Sequence, residues 1–122
     1  MSALKSLAES YVALWNESDP QRRRRAMAAL WGEDAIHRTP SMEARGHVAI
    51  EARLRGAYER WVRDSGCEFL LVDEVSGHHD IVRFRWAMRR KQDRTTLSIG
   101  SDVLLMDDAG RIRLDYQFIE SN

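Results

Sequence analysis

A chain of 122 residues can bury a real core but is too short to divide in two, so one domain spanning residues 1–122 is expected. Nineteen basic residues balance nineteen acidic ones, leaving no global field to draw in nucleic acid or an anionic membrane. No run reaches the length of a membrane span, the start lacks a secretory pattern, and the one cysteine, Cys67, cannot form an internal disulfide. The expected address is the reducing cytoplasm.

Leu4, Leu7, Ala8, Tyr11, Leu14 and Trp15 recur at three- and four-residue steps, the pattern of an amphipathic helix. Asp19 and Pro20 suit the cap and first position of a second helix, whose apolar stripe is Ala26, Met27, Leu30 and Trp31, with Gly32 as its stop. Arg22 to Arg25 point in four directions around that helix, so they read as a solvated face and not as a nucleic-acid patch. Asp34 to Thr39 reads as a short strand closed by Pro40, with His37 and Thr39 on one face and Ile36 and Arg38 on the other. After a loop through Gly46, a third helix is expected from Val48 to Asp64, its apolar line being Ile50, Leu54, Ala57, Tyr58 and Trp61.

Four strand-like segments follow: Glu68 to Val75, Ile81 to Arg89, Thr95 to Met106 and Ile112 to Ile119. Gly77-His-His-Asp80 has turn composition. His78, His79 and Asp80 are ligand types, but neighbours in a tight turn rarely converge on one ion, so no metal or other cofactor is expected. Within Ile81 to Arg89, Val82, Phe84, Trp86 and Met88 alternate with Arg83, Arg85 and Arg89, as in a half-buried antiparallel strand. Asp102 stands out in the next strand, because a carboxylate there either lies on a solvated face or projects into a pocket that uses it. Gly100, Leu104 and Met106 share its face. Helices followed by strands argue for α+β, with three N-terminal helices packed on one face of a curved antiparallel sheet.

Particular residues accompany this order: Tyr11-Val-Ala-Leu-Trp-Asn16, Asp34-Ala, Gly46-His-Val-Ala-Ile50, and Gly100-Ser-Asp102 followed by Asp108-Ala-Gly110-Arg-Ile112. Together they resemble the nuclear-transport-factor-2-like (NTF2-like) superfamily, and within it the SnoaL-like polyketide cyclases and ketosteroid isomerases. The resemblance implies a cone-shaped sheet closed by the helices, a cystatin-like α+β barrel with a pocket at its wide end. It implies that Tyr11 stands where the isomerases keep their oxyanion-hole tyrosine and Asp102 where they keep a protonated, hydrogen-bond-donating acid. Thr39 occupies the place of their general-base aspartate and cannot do that work at neutral pH. His37, two residues earlier on the same face, is therefore the candidate base. The similar limonene epoxide hydrolases need an arginine where this chain has Gly100, which argues against epoxide hydrolysis.

Tyr11, His37 and Asp102 would together suit proton transfer next to a carbonyl. Each also has a plainer reading, Tyr11 as core and His37 as a hydrogen-bonded strand residue. Trp15, Thr39, Tyr58, Trp61, Trp86 and Met106 are the expected wall of a pocket for a small hydrophobic molecule. The last strand has two readings: periodicity turns Ile112, Leu114, Tyr116 and Phe118 inward, while counting against the isomerases from Gly110 turns Asp115 and Gln117 inward. Three functions stay open: a cofactor-free isomerase or cyclase, a small-molecule carrier, or an interaction module. The resemblance also implies a homodimer through the outer sheet face, with Arg83, Arg85 or Arg89 meeting acidic residues of the partner.

Overall fold

The structure, a computed structural model, describes residues 2–121. Helix α1 (Ala3–Trp15) begins where the Ser2 side chain accepts the Lys5 amide and buries Ala8, Tyr11, Val12, Leu14 and Trp15. Helix α2 (Pro20–Leu30) is capped by Asp19, as expected, but stops one residue short of Trp31. Trp31 instead opens strand β1 (Trp31–Thr39), where its side chain is fully buried. A short strand the sequence reading placed in a loop, β2 (Met42–Arg45), pairs antiparallel with β1. Helix α3 (Gly46–Ala57) runs on as a wider π-helical segment, Tyr58–Arg63, before Gly66 turns the chain at φ 67°.

Four long strands complete the fold: β3 (Cys67–His78), β4 (Ile81–Arg90), β5 (Thr96–Met106) and β6 (Ile112–Ser121). With β1 and β2 they form one open six-stranded sheet in the order β2-β1-β6-β5-β4-β3. The α+β class and the three helices on a curved sheet are as expected, but the sheet is mixed. β1 lies parallel to β6, an arrangement that sets His37 directly beside Asp115.

The count from Gly110 holds for both of its residues, Asp115 and Gln117, whereas periodicity holds only at Ile112, because a bulge intervenes. Leu105 pairs with Leu114 but Met106 with Ile112, so β6 carries one extra residue, Arg113. Ile112 points inward before the bulge, and Asp115 points inward after it. Tyr116 falls on the other face, against Arg38, and Phe118 is 51% exposed.

One reading of the arginines needs correction. Arg23 is not solvated: it is buried, stacks 5.1 Å from the centre of the Tyr58 ring and donates to the Glu17 carbonyl. On the outer sheet face Arg85 pairs with Asp73 and Glu120, and Arg89 with Glu68.

Asn16 fastens the end of α1 to β3. Its amide donates to the Phe69 carbonyl and its oxygen accepts the Phe69 amide, both at 2.8 Å. Asn16→Leu strips both partners from a half-buried backbone, so the urea midpoint should shift by about 1–3 kcal/mol of lost stability. A variant as stable as wild type would show that α1 is held by its apolar face alone.

Candidate functional site

Helix α1 lays Tyr11 across the inner face of the sheet, its ring 5.1 Å from Phe84 and 5.4 Å from Trp31. The hydroxyl reaches two carboxyls, Asp102 Oδ2 at 2.8 Å and Asp115 Oδ2 at 2.6 Å. His37 Nδ1 lies 2.7 Å from the same Asp115 oxygen, and Trp86 Nε1 donates to Asp102 Oδ1 at 2.7 Å. His37, Asp102 and Asp115 are each 0% exposed.

The protons in this network can be placed from chemistry. Arg53 Nε can only donate, and it approaches His37 Nε2 at 3.5 Å, which leaves the ring proton on Nδ1 to be donated to Asp115. Tyr11 has one proton for two carboxyl neighbours, so one of those acids must be protonated itself. Asp102 is that acid: burial, with the nearby Asp115 charge, raises it well above the usual carboxylate range. Burial also raises Asp115, to about 6, while the Asp102 and Tyr11 hydrogen bonds and the Arg53 charge hold it down. Burial and the two carboxylates push the Tyr11 phenol up, so it stays a donor.

Above the network lies a cavity of about 410 Å³ between α1, α3 with its π-helical end, and the sheet. Tyr11, Asp102, Arg53 and Gln117 are among its polar lining, and Val12, Phe69, Met88, Leu97 and Ile119 are among its apolar wall. Of the wall residues expected from sequence, Trp15, Trp61 and Trp86 line it. Thr39, Tyr58 and Met106 do not. Thr39 accepts the Ser41 and Met42 amides in the β1–β2 turn, Tyr58 lies under Arg23, and Met106 packs at the end of β5 against the core.

His37 is the main correction. It sits behind the cavity wall with one nitrogen on Asp115 and the other facing Arg53. Burial lowers its imidazole to about 4, against the pull of Asp102 and with the push of Arg53, so it is a weak and enclosed base. Arg53 was missed, although its step of four to Ala57 and then Trp61 marks one helix face. Gly100 proves to be a spatial requirement. It pairs with Trp86, and an added Cβ would overlap the indole ring and approach the Phe118 carbonyl at 2.6 Å.

His37, Asp102 and Asp115 also bring three ligand-type atoms within 4.8 Å of one another. Ligands on one tetrahedral metal stand roughly 3.3 Å apart at ordinary bond lengths, whereas the 2.7 Å between His37 and Asp115 is a proton-bridged contact. At the exposed turn, His78 and His79 face each other with Nδ1 atoms 3.0 Å apart, and no third ligand-type residue joins them among the described residues.

No family model matches the chain, and no curated protein matches it. Among solved structures, a candidate isomerase of the SnoaL-like family from Agrobacterium tumefaciens is 29% identical, with a TM-score of 0.90 over 99% of this chain and 100% of that one. A candidate polyketide cyclase from Sinorhizobium meliloti shares the fold at 14% identity, with a TM-score of 0.70 over 92% of this chain and 93% of that one. An NTF2-like protein of unknown function from Exiguobacterium does so at 16%, with a TM-score of 0.72 over 95% and 99%. Fold and cavity thus define an NTF2-like α+β domain. The chain is similar to the NTF2-like, SnoaL-like proteins in fold and, at 29% identity to one of them, in sequence.

The shared proton has a measurable signature in stability. Asp102 holds its proton more tightly folded than unfolded, so folding stability falls as pH rises from the unfolded value of ~3.9 through the raised folded one. Asp115 acts in the same direction only up to about 6, and His37 acts oppositely between about 4 and 6.5. Wild type should therefore lose stability relative to Asp102→Asn in urea unfolding as pH rises above ~3.9, by at most about 1.4 kcal/mol per pH unit, until the folded pKa of Asp102 is passed. Parallel pH profiles would mean that Asp102 is already ionised in the fold.

Proposed function

We propose that the chain is a SnoaL-like enzyme that moves a proton next to the carbonyl of a small hydrophobic compound, using its own acid–base groups. One observation carries this reading: Asp102 is the carboxyl on the cavity wall, and the Tyr11 hydroxyl joins it to Asp115, a path along which a proton can move between the two acids. When that proton resides on Asp115, Asp102 is a carboxylate facing the cavity and can accept a C–H proton. It can then return the proton at another position of the enolate, which is isomerisation, or leave the carbanion to attack a second carbonyl, which is cyclisation. Tyr11 relays and His37 orients Asp115, and the surrounding apolar wall strengthens every charge interaction inside. The reaction as proposed calls on no metal or cofactor, and the single buried thiol of Cys67 suits a reducing cytoplasm.

A bicyclic ketone and its enol mimic test this. Wild type should accelerate deuterium exchange at the acidic C–H of 2-tetralone and should bind 2-naphthol. Asp102→Asn keeps a hydrogen-bond donor but no base, so exchange should fall by at least ~100-fold while naphthol affinity stays within a few-fold. Asp102→Leu should weaken naphthol binding by ~1–3 kcal/mol. Equal naphthol affinity in all three proteins, with unchanged exchange, would leave the carrier reading in its place.

The opposite face of the sheet supports a second copy of the chain as partner. Ile99, Val103, Leu105 and Leu114 alternate with the inward residues of β5 and β6, and exposed Phe118 and Arg83 stand beside them. Sedimentation should find a dimer at high micromolar concentration, and Val103→Glu, placed between Arg83 and Tyr116, should yield monomer. A wild-type monomer under those conditions would remove this partner.

A further inference from the structure

Arg53 is a cation in an apolar cavity with no carboxylate of the described residues within ion-pairing distance. Every other interaction of its guanidinium is accounted for. Nε faces the His37 ring, the plane lies 5.2 Å from the centre of the Trp15 ring, and Asp115 is reached only across the imidazole. The two terminal nitrogens carry no hydrogen-bond partner among the described residues, so the end of the guanidinium fork is open to a ligand. Partial burial weakens the hold on its proton, against the pull of Tyr11, Asp102 and Asp115. The Gln117 side chain, another polar group on the wall, also makes no hydrogen bond among the described residues.

We propose that Arg53 selects a monoanionic carboxylate, so that the ligand of this cavity is a hydrophobic oxo acid. Its carboxylate lies on the terminal nitrogens of Arg53, its carbonyl toward Asp102, and its carbon skeleton among Trp61, Phe69, Met88 and Ile119. A planar fork with two free N–H edges matches a carboxylate in a way no neutral group does. A dianion fits less well, because one cation cannot balance it beside the Asp115 charge. A cavity of about 410 Å³ holds a ligand of one or two fused rings. This assignment rests on the reading of the cavity as a ligand site, but not on the proton-transfer step.

Calorimetry with two probes of equal size, 2-naphthoate and 2-naphthamide, separates charge from shape at pH 7.5. Wild type should bind naphthoate at least tenfold more tightly than naphthamide. Arg53→Met should abolish that preference while keeping naphthamide affinity, and Arg53→Lys should retain part of it. Naphthoate binding no tighter than naphthamide in wild type, or a preference that survives Arg53→Met, overturns the assignment. Since wild type alone decides the first comparison, the folding of a variant does not limit the test. If naphthol binding depends on Asp102 but naphthoate gains nothing, the oxo-acid assignment falls and the proton-transfer reading stands. If naphthoate depends on Arg53 while naphthol and exchange ignore Asp102, the reverse holds.

Discussion

One hydroxyl stands between two carboxyls. Tyr11 has a single proton, and Asp102 and Asp115, both buried, lie within hydrogen-bonding distance of its oxygen. Two carboxylates so placed cannot both be ionised at low cost, and burial with the Asp115 charge raises Asp102 well above the usual carboxylate range. The rest of the site serves that arrangement. Trp86 anchors the far oxygen of Asp102, His37 donates to Asp115, and Arg53 fixes the tautomer of His37. Removing any one partner strands a buried polar group, which is why the network acts as a unit.

The backbone was shaped to hold these groups. The missing side chain at Gly100 leaves room for the Trp86 indole to lie over its neighbouring strand and reach Asp102. The extra residue at Arg113 lets Ile112 fill the core while Asp115 and Gln117 face the same way two pairs further on. Asn16 ties the helix that carries Tyr11 to the strand that carries Phe69, joining one wall of the cavity to another. The π-helical turn sits where Trp61 borders the opening, with Arg60 stacked 4.5 Å from its ring centre.

Charge divides the site in two. The inner half, Tyr11 with the two acids and His37, is buried and satisfied except for Asp115 Oδ1. The outer half, around the terminal nitrogens of Arg53 and the Gln117 amide, carries polar groups that no described residue satisfies. Enclosed groups that share a proton suit proton exchange, and unsatisfied groups at a cavity suit recognition. Both halves meet at Asp102, the acid that belongs to the wall.

Much of this architecture was legible in the chain itself, because it rests on local physics. Helical spacing placed Tyr11 and Trp15 on one buried face, Asp19-Pro20 marked a helix start, and strict alternation in β4 sorted Phe84 and Trp86 inward. A carboxylate among apolar strand residues identified Asp102 before any coordinates, since such a residue must be solvated or used. What the sequence could not decide depended on contacts between distant segments. The parallel pairing of β1 with β6 sets His37, the candidate base, in a closed position against Asp115, and no local pattern encodes a pairing across 78 residues. The bulge at Arg113 reversed the alternation of β6 midway, which periodicity reads as a contradiction. The protonation of Asp102 and the solitary charge of Arg53 came last, because burial and neighbours set both, and these exist only once the chain has folded.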